Sequence, residues 1–214
     1  MSLPTREAAA ALLHQHVRDE YQRHHALMVA TALEGYARHL ATAALQAGDA
    51  PAGLAHLRDS SPAFAVPGAL QAMNADPELW YVTGLLHDLD YEEHPDTHPG
   101  PALGWFQAWG YPAALLHAVE AHAYGYHDFQ TLPRTPLAAA LLATDELTGI
   151  FYAYRRMNPV AYAEMKPASI LKKLKDRTFA AKIDRATIEL GCTHLGIPLP
   201  DHVAHVARFL APLG

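Results

Sequence analysis

The stretch GLLHDLDY, residues 84–91, ends an apolar helical run with an adjacent histidine and aspartate, His87 and Asp88. The chain has fifteen histidines and one cysteine, Cys192. Imidazole and carboxylate groups are ligands for iron, manganese, zinc, nickel and cobalt. Neighbouring helical residues point about 100° apart, so the pair can share an ion only near a helix end, where other helices bring further ligands. The stretch therefore predicts a metal site.

The rest of the chain predicts further helices. Alanine and leucine dominate, and no stretch shows the alternation and β-branched enrichment of a strand. Asp76-Pro77-Glu78 and Thr135-Pro136 are helix starts, with a capping side chain followed by proline. The predicted helices span about Ser2 or Thr5 to 17, then 19–46, 76 to the His-Asp pair, 98–109, 112–123, 135–157, 167–175, 179–192 and 200–210. We therefore expect an all-α fold, a compact single-domain helical bundle over residues 1–214.

Composition and net charge limit the kinds of partner that the protein can bind. The 214 residues carry a formal net charge of -6, which argues against nucleic-acid binding. No apolar run of about 18 residues suggests a membrane span, and a lone cysteine fits a reducing cytoplasm. Residues 155–185 nevertheless contain nine basic and three acidic residues. This segment fits either a solvated basic helix face or an anion site, most simply for phosphate.

One connection breaks the helical pattern. Prolines and glycines recur between Pro51 and Gly68, and the segment 48–75 is long for a compact domain. We favour a tolerated insertion over a lid. The apolar residues Trp105, Phe106 and Trp109 fit either core or a homodimer surface, and we favour core.

Other helices carry residues that could meet the His-Asp pair. Each lies near a predicted helix end or on an apolar helix face; they are His25, His98, His122 and Asp145. The order His, then His-Asp, then Asp resembles the HD-domain superfamily of metal-dependent phosphohydrolases, with His25, His87-Asp88 and Asp145 in the matching places. His98 and His122 stand where some members carry two further histidines for a second metal. A bacterial subgroup of small HD hydrolases of unassigned substrate is similar over RTP (134–136), DELTG (145–149) and KKLKDRTFAA (172–181).

The resemblance implies an activity and its cofactors. It implies a phosphohydrolase that cleaves a phosphoester or phosphoanhydride bond of a nucleotide or small phosphate ester with metal-activated water. Two divalent ions (iron, manganese, nickel, cobalt or zinc) would share Asp88. His25, His87 and Asp145 would complete one set of ligands, with His98 and His122 in the other. We assign the catalytic role to His87 and Asp88, a metal-binding core to about 19–158, and a basic helical extension to about 159–214.

Residues outside the metal ligands receive supporting roles. Asp90, Tyr91 and Glu146 are candidates to orient ligand imidazoles or water. The substrate-binding candidates are basic residues outside the metal ligands, namely Arg134, Lys172, Lys173, Lys175 and Arg177. On a helix Lys173 is turned about 100° from Lys172, so all three lysines cannot reach one phosphate.

Two other functions fit the same residues. Some HD-fold proteins with six such ligands use a mixed-valent di-iron centre to activate dioxygen, and sequence spacing does not separate them from hydrolases. A non-catalytic nucleotide-binding regulatory module is the third hypothesis. The basic segment favours phosphate chemistry.

Overall fold

The computed structural model describes residues 3–47 and 75–214, and for 42–47 the backbone alone. These residues form nine α-helices and two short 3-10 helices, with no strand among them. The α-helices are α1 Arg6–His16, α2 Glu20–Ala47, α3 Pro77–Leu86, α4 Gly100–Ala108, α5 Ala113–His122, α6 Pro136–Met157, α7 Pro167–Lys175, α8 Arg185–Leu195 and α9 Leu199–Leu210. The predicted all-α, single-domain fold is confirmed. The predicted connection over 48–75 lies outside the described residues, apart from Ala75.

The capping signals act as predicted. Thr5, rather than Ser2, caps α1 by accepting the N–H of Ala8. The Asp76 carboxylate begins α3, and the Thr135 hydroxyl begins α6. Each side chain satisfies an N–H that has no intrahelical partner in the first turn.

One predicted helix begins at the wrong residue. We predicted a helix over 179–192, whereas α8 begins at Arg185 and the residues before it form turns. Ala180 has a positive φ of 46°, which interrupts a helix, and Asp184 caps the helix that follows. The Arg185 guanidinium donates to five carbonyls, one near the end of α7 at Leu174 and four in the turn region, at Asp176, Phe179, Ala180 and Ile183. This side chain stabilises the turns where a helix would otherwise continue.

Two glycines allow close helix contacts with α2 and α6, the helices that carry His25 and Asp145. A Cβ atom on Gly84 of α3 would lie 2.7 Å from the Cα of Ala30 on α2. A Cβ atom on Gly191 of α8 would lie 2.3 Å from the backbone nitrogen of Ala143 on α6. Because backbone atoms cannot move aside as a flexible side chain can, both contacts require glycine.

Helices α2 and α6 organise the interior. Helix α6 is buried on nearly every side from Pro136 to Phe151, as expected of a central helix. One core cluster joins α2, α6, α7, α8 and α9, so the basic C-terminal helices share the main core. A second cluster joins α1 to α5, with Phe106 fully buried and Trp105 and Trp109 packed against it. Across the described ranges, every helix is too short or too polar to cross a membrane.

Candidate metal centre

Five chain segments bring the six metal-ligand candidates together. Two of the residues lie at helix ends: His87 follows the last residue of α3 and His122 is the last residue of α5. The other four are His25 in the second turn of α2, Asp88 in the turn after α3, His98 just before α4, and Asp145 within α6. The ligand atoms form two overlapping groups, and within each group they lie within 4.8 Å of one another.

The first group contains His25, His87, Asp88 and Asp145. The Nε2 atom of His25 lies 3.0 Å from Oδ1 of Asp145 and 3.5 Å from Oδ2 of Asp88. The Nε2 atom of His87 lies 3.4 Å from each of the same two oxygens. The two Nε2 atoms are 3.3 Å apart. All these atoms therefore surround one small space.

The second group contains Asp88, His98 and His122. The other carboxylate oxygen of Asp88, Oδ1, lies 3.2 Å from Nε2 of His98 and 3.5 Å from Nε2 of His122. The two imidazole nitrogens are 3.1 Å apart. Asp88 thus turns one oxygen toward each group, which is the arrangement of a carboxylate that bridges two ions.

Backbone carbonyls orient two of the imidazoles. Nδ1 of His87 lies 2.8 Å from the carbonyl oxygen of Gly84. Nδ1 of His122 makes the same kind of short contact with the carbonyl oxygen of Val119. Each carbonyl lies three residues earlier, in a last helical turn where carbonyls lack intrahelical donors. Because a carbonyl only accepts, each Nδ1 carries a proton, and Nε2 is the ring nitrogen left to bind a second proton or a metal.

Side chains orient the other two imidazoles. Nδ1 of His98 donates to Oδ1 of Asp90 over 2.6 Å, and Oδ2 of this fully buried carboxylate accepts the N–H of Ala102 over 3.1 Å. Nδ1 of His25 lies 3.0 Å from the Thr148 hydroxyl. That hydroxyl donates to the carbonyl of Asp145 over 2.8 Å, so it accepts from His25. The orienting role of Asp90 stays a prediction, and the contact with His98 is the one through which it would act.

The donor set fits a cation. Four Nε2 lone pairs and two carboxylates converge, and pairs of Nε2 atoms lie 3.3 and 3.1 Å apart. Lone pairs at that separation repel unless a proton or a metal lies between them. Metal-bound histidines typically donate their other ring N–H to a carbonyl, carboxylate or similar acceptor, as all four do here. The cluster could therefore hold a metal ion, and its two groups offer places for more than one; which metal it prefers is not set by the donor types.

The pKa shifts of the ligand candidates also indicate that the cluster favours a bound positive charge. Burial lowers the pKa of His25, but Asp145 and Asp88 outweigh burial and raise it to about 9. Burial likewise opposes the charged form of His98, and Asp88 and Asp90 raise its pKa to about 9. The Asp88 pKa would be raised by burial, but the surrounding imidazoles, first His87, hold it well below its usual value. A cation at the Nε2 atoms would satisfy both carboxylates.

The ligand candidates differ in burial. The His87 side chain is 0 % exposed, whereas the side chains of Asp88 and Asp145 are 18 % and 21 % exposed. The two aspartate side chains therefore keep partial contact with solvent.

In the described ranges, the side chains of the remaining predicted site residues make no hydrogen bond or ion pair with the side chains of the six; the backbone N–H of Tyr91 donates to the carbonyl of Asp88 over 3.0 Å. Tyr91 places its ring edge-on to His98, 5.4 Å between centroids. Burial, followed by the charge of Asp145, raises the pKa of Glu146 to about 7. Arg134 is exposed beside a cavity that His117 also lines. Among the predicted lysines, Lys173 lies over the Phe179 ring, and Lys172 and Lys175 are exposed. Their substrate roles stay predictions.

Thr148 is the residue that the sequence reasoning missed. It lies three residues after Asp145, on the same side of α6, and is fully buried. That spacing is a usable signal, since residues three apart share a helix face. His24, in contrast, faces away from the centre as expected and lies 2.8 Å from the hydroxyl of Tyr162.

The fold and the site together define an all-α protein with a buried His/Asp cluster that could hold metal, compatible with a metal-dependent enzyme. Comparisons with protein-family models, curated proteins and solved structures found no match.

Proposed function

We propose that this protein is a metal-dependent phosphohydrolase of the HD-domain type, acting on a nucleotide or another small phosphate ester. The observation that carries the proposal is the shared carboxylate of Asp88, with one oxygen toward each of two imidazole pairs. A fixed pair of neighbouring cation sites suits hydrolysis of a phosphate bond, in which negative charge develops on several oxygens at once.

The chain's own residues would do the following. His25, His87, Asp88 and Asp145 would hold one divalent ion, and His98 and His122 with Asp88 would hold the other. When bound, such ions lower the pKa of a water molecule and stabilise charge on phosphoryl oxygens. The Nδ1 partners keep the rings from turning. The partly exposed side chains of Asp88 and Asp145 mark the side from which a substrate would reach the centre.

Phosphate is the favoured substrate group because of charge. The chain is acidic overall, yet residues 155–185 carry a net charge of +6. Lys172, Lys175 and Arg177 are exposed within it, so they can attract an anionic substrate. The basic segment therefore favours phosphate chemistry.

The test is a hydrolysis screen on the full chain. Metal-free protein is reloaded separately with Mn²⁺, Fe²⁺, Co²⁺, Ni²⁺ and Zn²⁺, and phosphate or nucleotide products are measured over a panel of nucleotides and phosphate esters. His87→Gln removes a ligand candidate. His194→Gln on α8 is the matched control, a partly buried histidine far along the chain from all six.

The expected result is turnover with at least one metal, lost in His87→Gln and kept in His194→Gln. Oxygen consumption by the iron form without phosphate chemistry would replace the hydrolase with an oxygenase. Tight nucleotide binding with no turnover under any metal would replace it with a regulatory module.

A further inference from the structure

A second cavity lies beside the metal centre and shares none of its six residues. Its volume is about 600 Å³, within the range of roughly 300 to 1,000 Å³ typical of small-molecule sites. It is formed by the last turn of α6 with Tyr152, Arg155 and Arg156, by His24 on α2, and by residues 159–161.

The cavity is cationic. Arg155 and Arg156 both line it, and neither forms an ion pair with any other residue in the described ranges. No aspartate or glutamate is among the lining residues. An arginine in the last turn of a helix is favourable for the helix dipole in any protein. That effect explains basic residues at this end of α6, but not two guanidinium groups that line one concave space without a carboxylate partner among the described residues.

Arg155 is held in place. Its guanidinium carbon lies 4.6 Å from the centre of the Tyr162 ring, and the Tyr162 hydroxyl is in turn engaged by Nε2 of His24 at 2.8 Å. Tyr162 itself is fully buried. A cation fixed over a buried aromatic ring has less side-chain freedom to lose on meeting an anion, which favours binding.

The rest of the cavity lining suits a planar or apolar group. The Tyr152 ring is partly buried, and Pro159, Val160 and Ala161 add apolar residues to the lining. Tyr152 also packs on Tyr21, with 4.5 Å between ring centroids, and Tyr21 lies 6.2 Å from the His25 ring. Ring contacts from Tyr152 through Tyr21 therefore connect the cavity lining to His25 of the metal centre.

We propose that this cavity binds an organic phosphate of the nucleoside monophosphate class. The phosphate meets the guanidinium groups of Arg155 and Arg156, whose planar donors match phosphate oxygens. The base lies against Tyr152 and the 159–161 segment. The site does not depend on the proposed hydrolase activity, because nothing in it requires a metal.

The experiment uses the full chain after removal of metals with EDTA, so failure of the hydrolase proposal leaves it unaffected. Isothermal titration calorimetry measures binding of AMP and adenosine to the wild type, Arg155→Gln, Arg156→Gln and Arg208→Gln. Arg208 is the matched control, since it also lies over an aromatic ring, 5.0 Å from the Phe209 centroid, but outside this cavity. Thermal unfolding confirms that each variant folds.

We expect AMP to bind the wild type and Arg208→Gln equally, and each cavity variant at least about tenfold more weakly, as expected for a lost charge-assisted hydrogen bond. Adenosine should bind at least about tenfold more weakly than AMP. The proposal is overturned if AMP does not bind the wild type, if adenosine binds as tightly, or if Arg208→Gln weakens AMP binding as much as the cavity variants do.

Discussion

Replacing Thr148 by valine tests whether the outer hydrogen bonds hold the metal-binding geometry. Valine has nearly the shape of threonine, so the change removes the hydroxyl without opening a cavity. The hydroxyl accepts from Nδ1 of His25 over 3.0 Å and donates to the carbonyl of Asp145 over 2.8 Å. A metal on Nε2 would fix the His25 ring with its Nδ1–H facing the valine methyl groups. The cost of that unpaired N–H therefore falls on the metal-bound form.

The expected loss of metal affinity in Thr148→Val follows from the burial of the threonine side chain. Thr148 is 0 % exposed, and an unsatisfied buried donor costs about 1–3 kcal/mol. Since 1.4 kcal/mol corresponds to about tenfold in affinity, we expect Thr148→Val to weaken metal binding by about tenfold to a hundredfold, in line with the usual effect of losing such a partner. The measurement is a competition titration of Zn²⁺ against a chromophoric chelator. Thr148→Ser, which keeps the hydroxyl, should restore most of the affinity.

Thr144→Val is the matched control. Thr144 is equally buried, one turn earlier on α6, and its hydroxyl has no hydrogen-bond partner among the described residues. Its loss should leave Zn²⁺ affinity unchanged and stability equal or higher. The reasoning is refuted if Thr148→Val binds Zn²⁺ like the wild type, or if both valine variants lose affinity equally.

Three further predictions concern the bridge, the helix contacts and a buried histidine. Asp88→Asn should lose both ions and His122→Gln one, as counted by inductively coupled plasma mass spectrometry on the reloaded protein; equal losses would contradict the bridging role. Gly191→Ala should lower the free energy of unfolding by about 3 kcal/mol, because the new Cβ would lie 2.3 Å from a backbone atom. Gly104→Ala, whose Cβ would meet no described atom within 4 Å, should raise the free energy of unfolding by about 0.5–1 kcal/mol. Denaturant titrations measure both changes. Burial lowers the pKa of His202 to about 4. The contribution of this residue to the free energy of unfolding is therefore complete above its unfolded pKa near 6.5, and it falls by about 3 kcal/mol as the pH drops toward 4. Urea titrations of metal-free His202→Gln should show a shallower loss of stability over that pH window than the wild type, and parallel curves would disprove the prediction.

The sequence alone could predict the metal-ligand candidates, because local sequence patterns determine where these residues lie on the helices. His87 and His122 lie at helix ends that the capping and apolar patterns predict, and Asp145 lies on a long apolar helix face. Where a helix starts depends on the nearest few residues, so Asp76 and Thr135 could be identified as caps from the sequence. The order of the candidates along the chain then resembles one known superfamily, which supplied the pairing of ligands.

The sequence was insufficient where a distant side chain decides the backbone. The start of α8 depends on Arg185, which donates to carbonyls as far back as Leu174. Nothing in the local pattern of residues 179–184 reveals that contact. The cavity at Arg155 and Arg156 was missed for a similar reason, since its walls come from α2, α6 and the 159–161 segment together. The sequence showed that the segment is basic, but not which of its cations face one space.

The four hydrogen-bond acceptors that orient the imidazoles differ in how substitution can affect them. The carbonyls of Gly84 and Val119 are present whatever side chain stands there, so a histidine at either helix end is oriented by the helix itself. His25 and His98 depend on side chains, Thr148 and Asp90. Asp90 also accepts the N–H of Ala102 in α4, so its loss would disturb the fold and the ligand together. Among the described residues, the Thr148 hydroxyl is hydrogen-bonded only to His25 and to a carbonyl of its own helix. It is therefore the position at which metal affinity can be changed with the least change in fold.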